Sequence, residues 1–392
     1  MGRALITSAS TRVAYCICKN LARHGIQAVV ADFDPLAMSF LSRYASGRYV
    51  YTSPFLDEIK FVEDLLQIII KEKIDVLIPV LEETYFVARH RAILAPHVRI
   101  FMADYSKLIS LHDKRSLKYI AGRLGVSMPM TVELEDALAQ GFPTGFHFPA
   151  VLKPKQGGGG WAVMEVNGTS AIKMMAAQPD FSPDRYLVQE KIDGPIAGVA
   201  MLYNDGALVA SDSYWTVQTY PHPYGQPTVR VSREFPEATV ALKVILDDLR
   251  WTGPCQADFL HDEVRNKSFL IDVNPRFWGS VAQSIARGID FPYYYYKCAM
   301  GEYDFSVPID PPEVATRWLG GDMMRKAHAF LSKSNGERPA AGFTISRFAA
   351  TDDFELRDPF PLAGWAICQA VRRMRGLVGL GAHREALDGV WE

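Results

Sequence analysis

Three things are scarce in this 392-residue chain, and each shortage removes a class of protein. No apolar stretch approaches the roughly 20 residues that cross a bilayer. Lys+Arg 42 against Asp+Glu 44 gives a formal net charge of -2, so the basic excess of a protein built to hold nucleic acid is missing. The five cysteines (Cys16, Cys18, Cys255, Cys298 and Cys368) are odd in number and scattered, which fits reduced, buried thiols better than a disulfide framework. Cys16 and Cys18 fall on an expected helix and are not read as a metal pair. The segment Met1-Gly-Arg-Ala-Leu-Ile-Thr7 enters a strand without the apolar core and cleavage site of a secretory signal, so a cytoplasmic location is expected. At 48% hydrophobic and 22% charged, the chain is expected to form two or three globular domains.

The first hundred or so residues alternate strand and helix signals. Ala4-Leu-Ile-Thr7 precedes a helical Val13–His24, then come Ala28-Val-Val-Ala31, a helix near 56–71 and Val76-Leu-Ile-Pro79, a βαβ rhythm that predicts a parallel sheet. The turn after the first strand, Ser8-Ala-Ser-Thr-Arg12, lacks the G-x-G-x-x-G fingerprint, so no dinucleotide is assigned despite Asp32 at the end of the second strand. Ser8 and Ser10 read as helix caps, with substrate contact as the alternative. Glu82 and Glu83 fall at the carboxyl end of a strand, where open sheets place ligands, although a solvated first helical turn explains them equally well.

From His112 the pattern changes to a mixed α+β unit, with a helix through Leu124, the turn Gly125-Val-Ser-Met-Pro129 and a short helix near Glu133–Gln140. Ala150-Val-Leu-Lys-Pro-Lys-Gln-Gly-Gly-Gly-Gly-Trp-Ala-Val163 then carries a lysine from an apolar strand into four glycines and back into a strand. Glycine amides converge readily on an anion and the lysine adds charge, so the hairpin reads as a phosphate cradle; a flexible tip is the structural alternative. It is not a Walker A motif, because no Gly-Lys-Ser/Thr opens a following helix. Further strands are expected at Tyr186–Glu190, Gly198–Tyr203, Ala207–Ser211, Cys255–Leu260 and Ser268–Asn274, with a helix at Ala238–Leu249. Period-2 alternation puts Asp272 and Asn274 on one face and Phe269, Ile271 and Val273 on the other. With Asp258 on a neighbouring strand facing the same way, three hard oxygen ligands converge, a set suited to Mg²⁺ shared with substrate phosphates.

Lys114, Lys153 before the glycines, Gln189-Glu-Lys-Ile-Asp-Gly194, Asp258 and Ile271-Asp-Val-Asn-Pro-Arg276, in this order and spacing, resemble an ATP-grasp enzyme over about residues 110–300. The βαβ start resembles the domain that precedes it in the biotin carboxylase and carbamoyl-phosphate synthetase branch. Asn274-Pro-Arg-Phe-Trp-Gly-Ser280 with Gly288-Ile-Asp-Phe-Pro292 is similar to a group of carboxylate–amine ligases in that superfamily. The resemblance implies a Rossmann-like domain at 1–110, an ATP-grasp domain at 111–310 with a glycine-loop lid subdomain at about 115–190, and a C-terminal extension at 311–392. It also implies ATP and one or two Mg²⁺ ions, with Mn²⁺ as a substitute.

On that resemblance, Lys114 and Lys153 neutralise the α- and β-phosphates, and Gly157, Gly158, Gly159 and Gly160 close over them. The backbone of Glu190, Lys191, Ile192 and Asp193 holds adenine. Asp258, Asp272 and Asn274 hold the metal, and Arg276 neutralises the substrate carboxylate or acyl phosphate, with Arg230 and Arg233 as further candidates whose alternative is ordinary surface charge. Where many relatives place acids after the hinge glycine, this chain has Gly194-Pro-Ile-Ala197, which leaves Asp193 for the ribose; both metal acids are Asp where Glu is commoner. The implied reaction joins a carboxylic acid to an amine through an acyl phosphate, without a covalent enzyme nucleophile. Bicarbonate activation and a non-catalytic ATP-binding module are the alternatives; no Met-Lys-Met biotinyl segment and only one copy of the motifs occur.

His112, His222 and His261 are read as structural. Helices are expected at Trp318–Ser332 and Phe360–Gly376, the second with Arg372, Arg373 and Arg375, and a strand at Phe343–Ala350. The basic helix is expected to pack on its own domain, with a membrane surface as the alternative. The aromatic run Phe291–Tyr296 is read as core with hydroxyls at its edge, the lining of a substrate pocket being the alternative, and a homodimer is the expected assembly.

Overall fold

The computed structural model describes residues 2–155, 163–331 and 348–377. Gly157–Gly160, most of the expected strand at 343–350, and the side chains of Arg372, Arg373 and Arg375 lie outside the described residues.

Short apolar runs make the first sheet. β1 (Arg3–Ile6), β2 (Gln27–Asp32), β3 (Ala45–Val50), β4 (Val76–Ile78) and β5 (Arg99–Ile100) are all parallel in the order β3-β2-β1-β4-β5. Helices cover both faces, which is why β1 and β4 are apolar at successive positions. β3 has a half-exposed, alternating pattern and no continuous apolar run to announce it. The helix Arg12–Arg23 is capped by Thr11, whose side chain accepts from Ala14 N at 3.2 Å. Neither Ser8 nor Ser10 caps it: Ser8 sits at φ 51° and donates elsewhere, and Ser10 N donates to Asp32 at 2.6 Å.

The helix expected to run through Leu124 is Lys114–Arg123, and a further helix, Tyr105–His112, precedes it; Asp113 separates the two because it leaves helical geometry to accept from Ser116 N at 2.7 Å as the cap of the second. Next comes a small sheet of β6 (Thr131–Glu133), β7 (Ala150–Pro154), β8 (Met164–Val166) and β9 (Tyr186–Glu190) in the order β6-β9-β7-β8. β7 and β8 form the antiparallel hairpin that bears the glycine segment.

The large sheet contains β10 (Ile196–Asn204), β11 (Ala207–Tyr220), β12 (Gln226–Ser232), β13 (Gly253–Asp262), β14 (Lys267–Asn274), β15 (Ala315–Arg317) and β16 (Ala350–Thr351), in the order β14-β13-β10-β11-β12-β15-β16. β11 runs nine residues past the strand end expected at Ser211, bent by register shifts near Gln218. β15 and β16 bring the C-terminal region into this sheet, and the helix Phe360–Leu377 packs against the turn at Met38–Leu41 of the first domain. The aromatic run lies on the helix Phe291–Met300, and Tyr295 is buried with its hydroxyl donating to Leu77 O at 3.0 Å.

Candidate functional site

The site is assembled where β13 and β14 lie side by side. Asp258 pairs directly with Asp272, and Gln256 with Asn274, so all four side chains leave the same face. Between Asp258 and Phe259 the register slips by one: Phe259 pairs with Leu270, and Ile271 is the extra residue of a bulge. This corrects the simple alternation expected for the strand. Leu270 and Val273 enter the core, whereas Phe269 and Ile271 are only half-buried. The bulge also has a use, because the Ile271 carbonyl accepts from Lys153 Nζ at 3.1 Å.

Hydrogen bonds fix the ledge. Gln256 Nε2 donates to Asp258 Oδ1 at 2.7 Å, and Asn274 Nδ2 donates to Gln256 Oε1 at 2.8 Å, which turns the Asn274 carbonyl oxygen the other way. Sequence reasoning missed Gln256, although its spacing two residues before Asp258 is the signal that places it on that face. Burial, then the adjacent Asp272 charge, pushes the Asp258 carboxyl up to about 7.

Two lysines face this ledge from different elements. Lys114 begins a helix, where its charge opposes the helix dipole, and its Nζ lies 3.7 Å from Asp272. Lys153 on β7 is buried, donates to Gln189 Oε1 at 3.0 Å, and is pushed down to about 7 by burial and then by the Lys114 charge, against the pull of Asp272. Gln189 is held in turn by donating to Thr131 Oγ1 at 2.8 Å.

The expected adenine hinge, Glu190 to Asp193, ends β9 and connects the small sheet to β10 of the large one. Glu190 accepts from His147 N at 2.7 Å and Lys191 pairs with Glu165 at 2.8 Å. Gly194 follows at φ 154°, where a Cβ would meet the His261 carbonyl oxygen at 2.1 Å, so only glycine permits this approach. At Gly198, opposite Asp258, the missing side chain makes room for the Tyr214 ring.

Arg276 is nine-tenths buried and its Nη2 lies 3.2 Å from Glu82 Oε1. Arg230 is fully buried on β12, paired bidentately with Asp352 and bonded to Thr316 Oγ1. Its charge is thus met by the C-terminal region. Arg12, which no motif marks, shares Asp352 at 3.2 Å and stacks over Trp318 at 4.2 Å. Arg233 forms a surface pair with Glu263 at 3.0 Å. Of the expected histidines, His112 accepts or donates to Tyr85 at 2.9 Å and His261 contacts Ser268 at 3.0 Å.

A parallel first domain, a small sheet bearing a lysine hairpin, and a large sheet with a carboxylate ledge define the ATP-grasp fold, here preceded by a Rossmann-like domain. Solved structures of that class resemble the chain. A Campylobacter jejuni biotin carboxylase in complex with beta-gamma-ATP superposes with TM-score 0.63 at 16% identity, covering 80% of this chain and 74% of that one. A Bacillus licheniformis L-amino acid ligase gives 0.61 at 15% identity, covering 80% and 79%. The biotin carboxylase domain of Hydrogenobacter thermophilus 2-oxoglutarate carboxylase, complexed with MgADP, ADP and bicarbonate, gives 0.61 at 16%, covering 78% and 71%. At such identities the likeness establishes the fold. No family profile and no curated protein sequence matches the chain.

Among the described residues, no three His, Cys, Asp or Glu side chains are grouped to hold a metal alone. Two carboxylates and an amide fit Mg²⁺ when substrate oxygens and water supply its other positions. Among the described residues, no helix is long and apolar enough to cross a membrane.

Proposed function

We propose that the chain is an ATP-dependent ligase that joins a carboxylic acid to an amine and releases ADP and phosphate. The observation that carries this reading is the Asp258–Asp272 pair, in register and flanked by Asn274, with Lys114 and Lys153 reaching it from two separate elements. One anion with several charges fits between such groups, and a triphosphate is that anion. Asp258, Asp272 and Asn274 would hold Mg²⁺, which supplies positive charge to the phosphate oxygens.

Lys114 and Lys153 then bind phosphate oxygens, and Glu190 to Asp193 hold adenine. Arg276 orients the acid so that its carboxylate oxygen attacks the γ-phosphate in line, giving an acyl phosphate and ADP. The amine displaces phosphate and the amide forms. Two Asp residues in the ledge and Asp193 at the ribose fit this scheme, and the protein is expected in the cytoplasm as a homodimer.

Bicarbonate is a second reading of the acid, supported by likeness to carboxylase domains. The test is a phosphate-release screen with Mg·ATP across amino acids, small carboxylic acids and bicarbonate with biotin, each with and without amines, followed by mass spectrometry of the product. Amine-dependent ADP release with an organic acid is the expected outcome. Turnover that needs bicarbonate and biotin replaces the acid, and tight ATP binding with no ADP from any combination removes the enzyme reading.

A further inference from the structure

The order β3-β2-β1-β4-β5 reverses between β1 and β4, and the crevice beyond the carboxyl ends of those two strands is where open α/β sheets take ligands. Both connections that flank it hold a non-glycine residue at positive φ, Ser8 at 51° after β1 and Leu81 at 55° after β4. A bulky side chain rarely adopts that conformation, and such strain clusters at functional sites. Each connection also sends a charged group to one loop of the large sheet. Arg12 Nε donates to Gly279 O at 3.2 Å, and Glu82 Oε1 accepts from Arg276 Nη2 at 3.2 Å. That loop follows Asn274, and Arg276 on it lies close enough to both Glu82 and Asp272 to feel both charges, which sets the ledge beside the crevice.

Glu82 is the group this arrangement leaves available. Its side chain remains about one third exposed, at 32%, while Arg276 is buried and its Nε has no hydrogen-bond partner among the described residues. Asp258 and Asp272 belong to the phosphate ledge. The groups facing Glu82 are Arg276, Tyr85 on the next helical turn, and His112 on the helix Tyr105–His112. His112 is no competing base: burial, followed by the Lys114 charge, pushes it down to about 4.

We propose that Glu82 receives the incoming amine in this crevice, docking its ammonium beside the acyl phosphate held by Arg276 and taking a proton from it. The inference rests on the ligase reading above. An ammonium has no lone pair, so one N–H proton must pass to Glu82 before nitrogen attacks the acyl carbon. The C–N bond forms and the C–O bond to the phosphoryl group breaks, its electron pair leaving with phosphate. The second N–H proton and the one on Glu82 both end on inorganic phosphate, which restores the Glu82 carboxylate.

Hydroxylamine separates the two ideas, because at neutral pH it is mostly free base and captures an acyl phosphate as a hydroxamate without needing a proton acceptor. Wild-type protein with Mg·ATP and hydroxylamine is screened across amino acids and small mono- and dicarboxylates; absence of hydroxamate with every acid removes the ligase reading itself. With an acid that reacts, Glu82→Gln is compared with wild type using hydroxylamine, and using amino acids and alkylamines as ammonium-type nucleophiles. Amide formation should fall at least about 100-fold while hydroxamate formation falls less than about 5-fold, a split that positioning of Arg276 alone would not produce. The residual amide rate of the variant should climb about tenfold per pH unit as the free-base fraction of the amine rises. Equal losses with both nucleophiles, an unchanged amide rate, or a wild type that makes hydroxamate but no amide with any amine would each overturn the role of Glu82.

Discussion

The first domain and the large sheet are joined by their cores, whereas the four-stranded unit keeps its own. Leu5, Val29 and Leu77 of the parallel sheet pack in one apolar cluster with Val199, Phe259 and Leu270 of the large sheet, and Ile6, Val30 and Ile78 share another with Phe277, Trp278 and Tyr295. Among the described residues, the small unit has a separate buried apolar cluster of Leu134, Ala150, Leu152, Val166, Ile172 and Val188, none shared with the rest. The candidate site straddles this division. Asp258, Asp272, Arg276 and Lys114 stand on the joined body, while Lys153 stands on the small unit, held by Gln189 of the same unit, and reaches across to Ile271 O. A unit with a separate core can swing or open without disturbing the body, which suits a lid that admits nucleotide and then encloses it.

The largest expected effect breaks the body's half of the site. Asp272→Ala removes one carboxylate of the ledge and should lower ADP release by at least about 1,000-fold, the scale on which phosphoryl transfer depends on its charge stabilisers. The melting temperature should hold or rise, because the change relieves the like charge that helps push Asp258 up. ADP release within tenfold of wild type would remove the ledge from the chemistry. The next effect separates the two cores. Leu152→Ala should cost about 2–5 kcal/mol, confined to the small unit. Limited proteolysis should cut within 131–190 sooner while the main melting transition stays put, and Leu270→Ala should do the reverse. If both variants lower one common transition equally, the small unit is not independent.

How much of this was legible in the sequence depends on the range of the interaction involved. Asp258, Asp272 and Asn274 were readable because alternation along a strand is a local rule, and Asp258 faces Asp272 as that rule requires. The bulge at Ile271 was not, since one added residue leaves no mark in the composition of β14 yet reverses the faces of everything before it. Arg230 could be noted as a spare cation between hinge and ledge, but its partner Asp352 lies 122 positions away and reaches it only because β15 and β16 join the large sheet. Glu82 had two equal readings from sequence; its contact with Arg276, 194 positions on, singles it out. Thr11, rather than Ser8 or Ser10, caps the first helix because the backbone at Ser8 turns left-handed before the helix begins.

The smallest expected effect concerns the body alone and needs no ligand. Glu83, next to Glu82, is buried, and burial followed by the charge of Asp32 pushes its carboxyl up to about 8. The hydrogen bonds suit a neutral acid. Ser8 N donates to Tyr51 OH at 3.1 Å, and Tyr51 OH donates to Glu83 Oε1 at 2.5 Å. Ser8 Oγ lies 2.8 Å from both Val80 O and Glu83 Oε2 but has one hydrogen to give. If that hydrogen goes to the Val80 carbonyl, which can only accept, then Glu83 Oε2 must donate, and it can do so only when protonated. Because the folded state holds a proton that the unfolded chain gives up from its ordinary value of 4.5, this group's contribution is full below 4.5 and is lost as pH rises through about 8. The slope is at most about 1.4 kcal/mol per pH unit for one proton. Glu83→Gln keeps an acceptor for Tyr51 and a donor for Ser8 but carries no charge at any pH, so the difference in denaturant stability between variant and wild type should grow in the variant's favour from pH 5 to pH 8. A difference that stays flat over that range would mean that Glu83 is ionised in the fold and that Ser8 gives its hydrogen to the carboxylate instead.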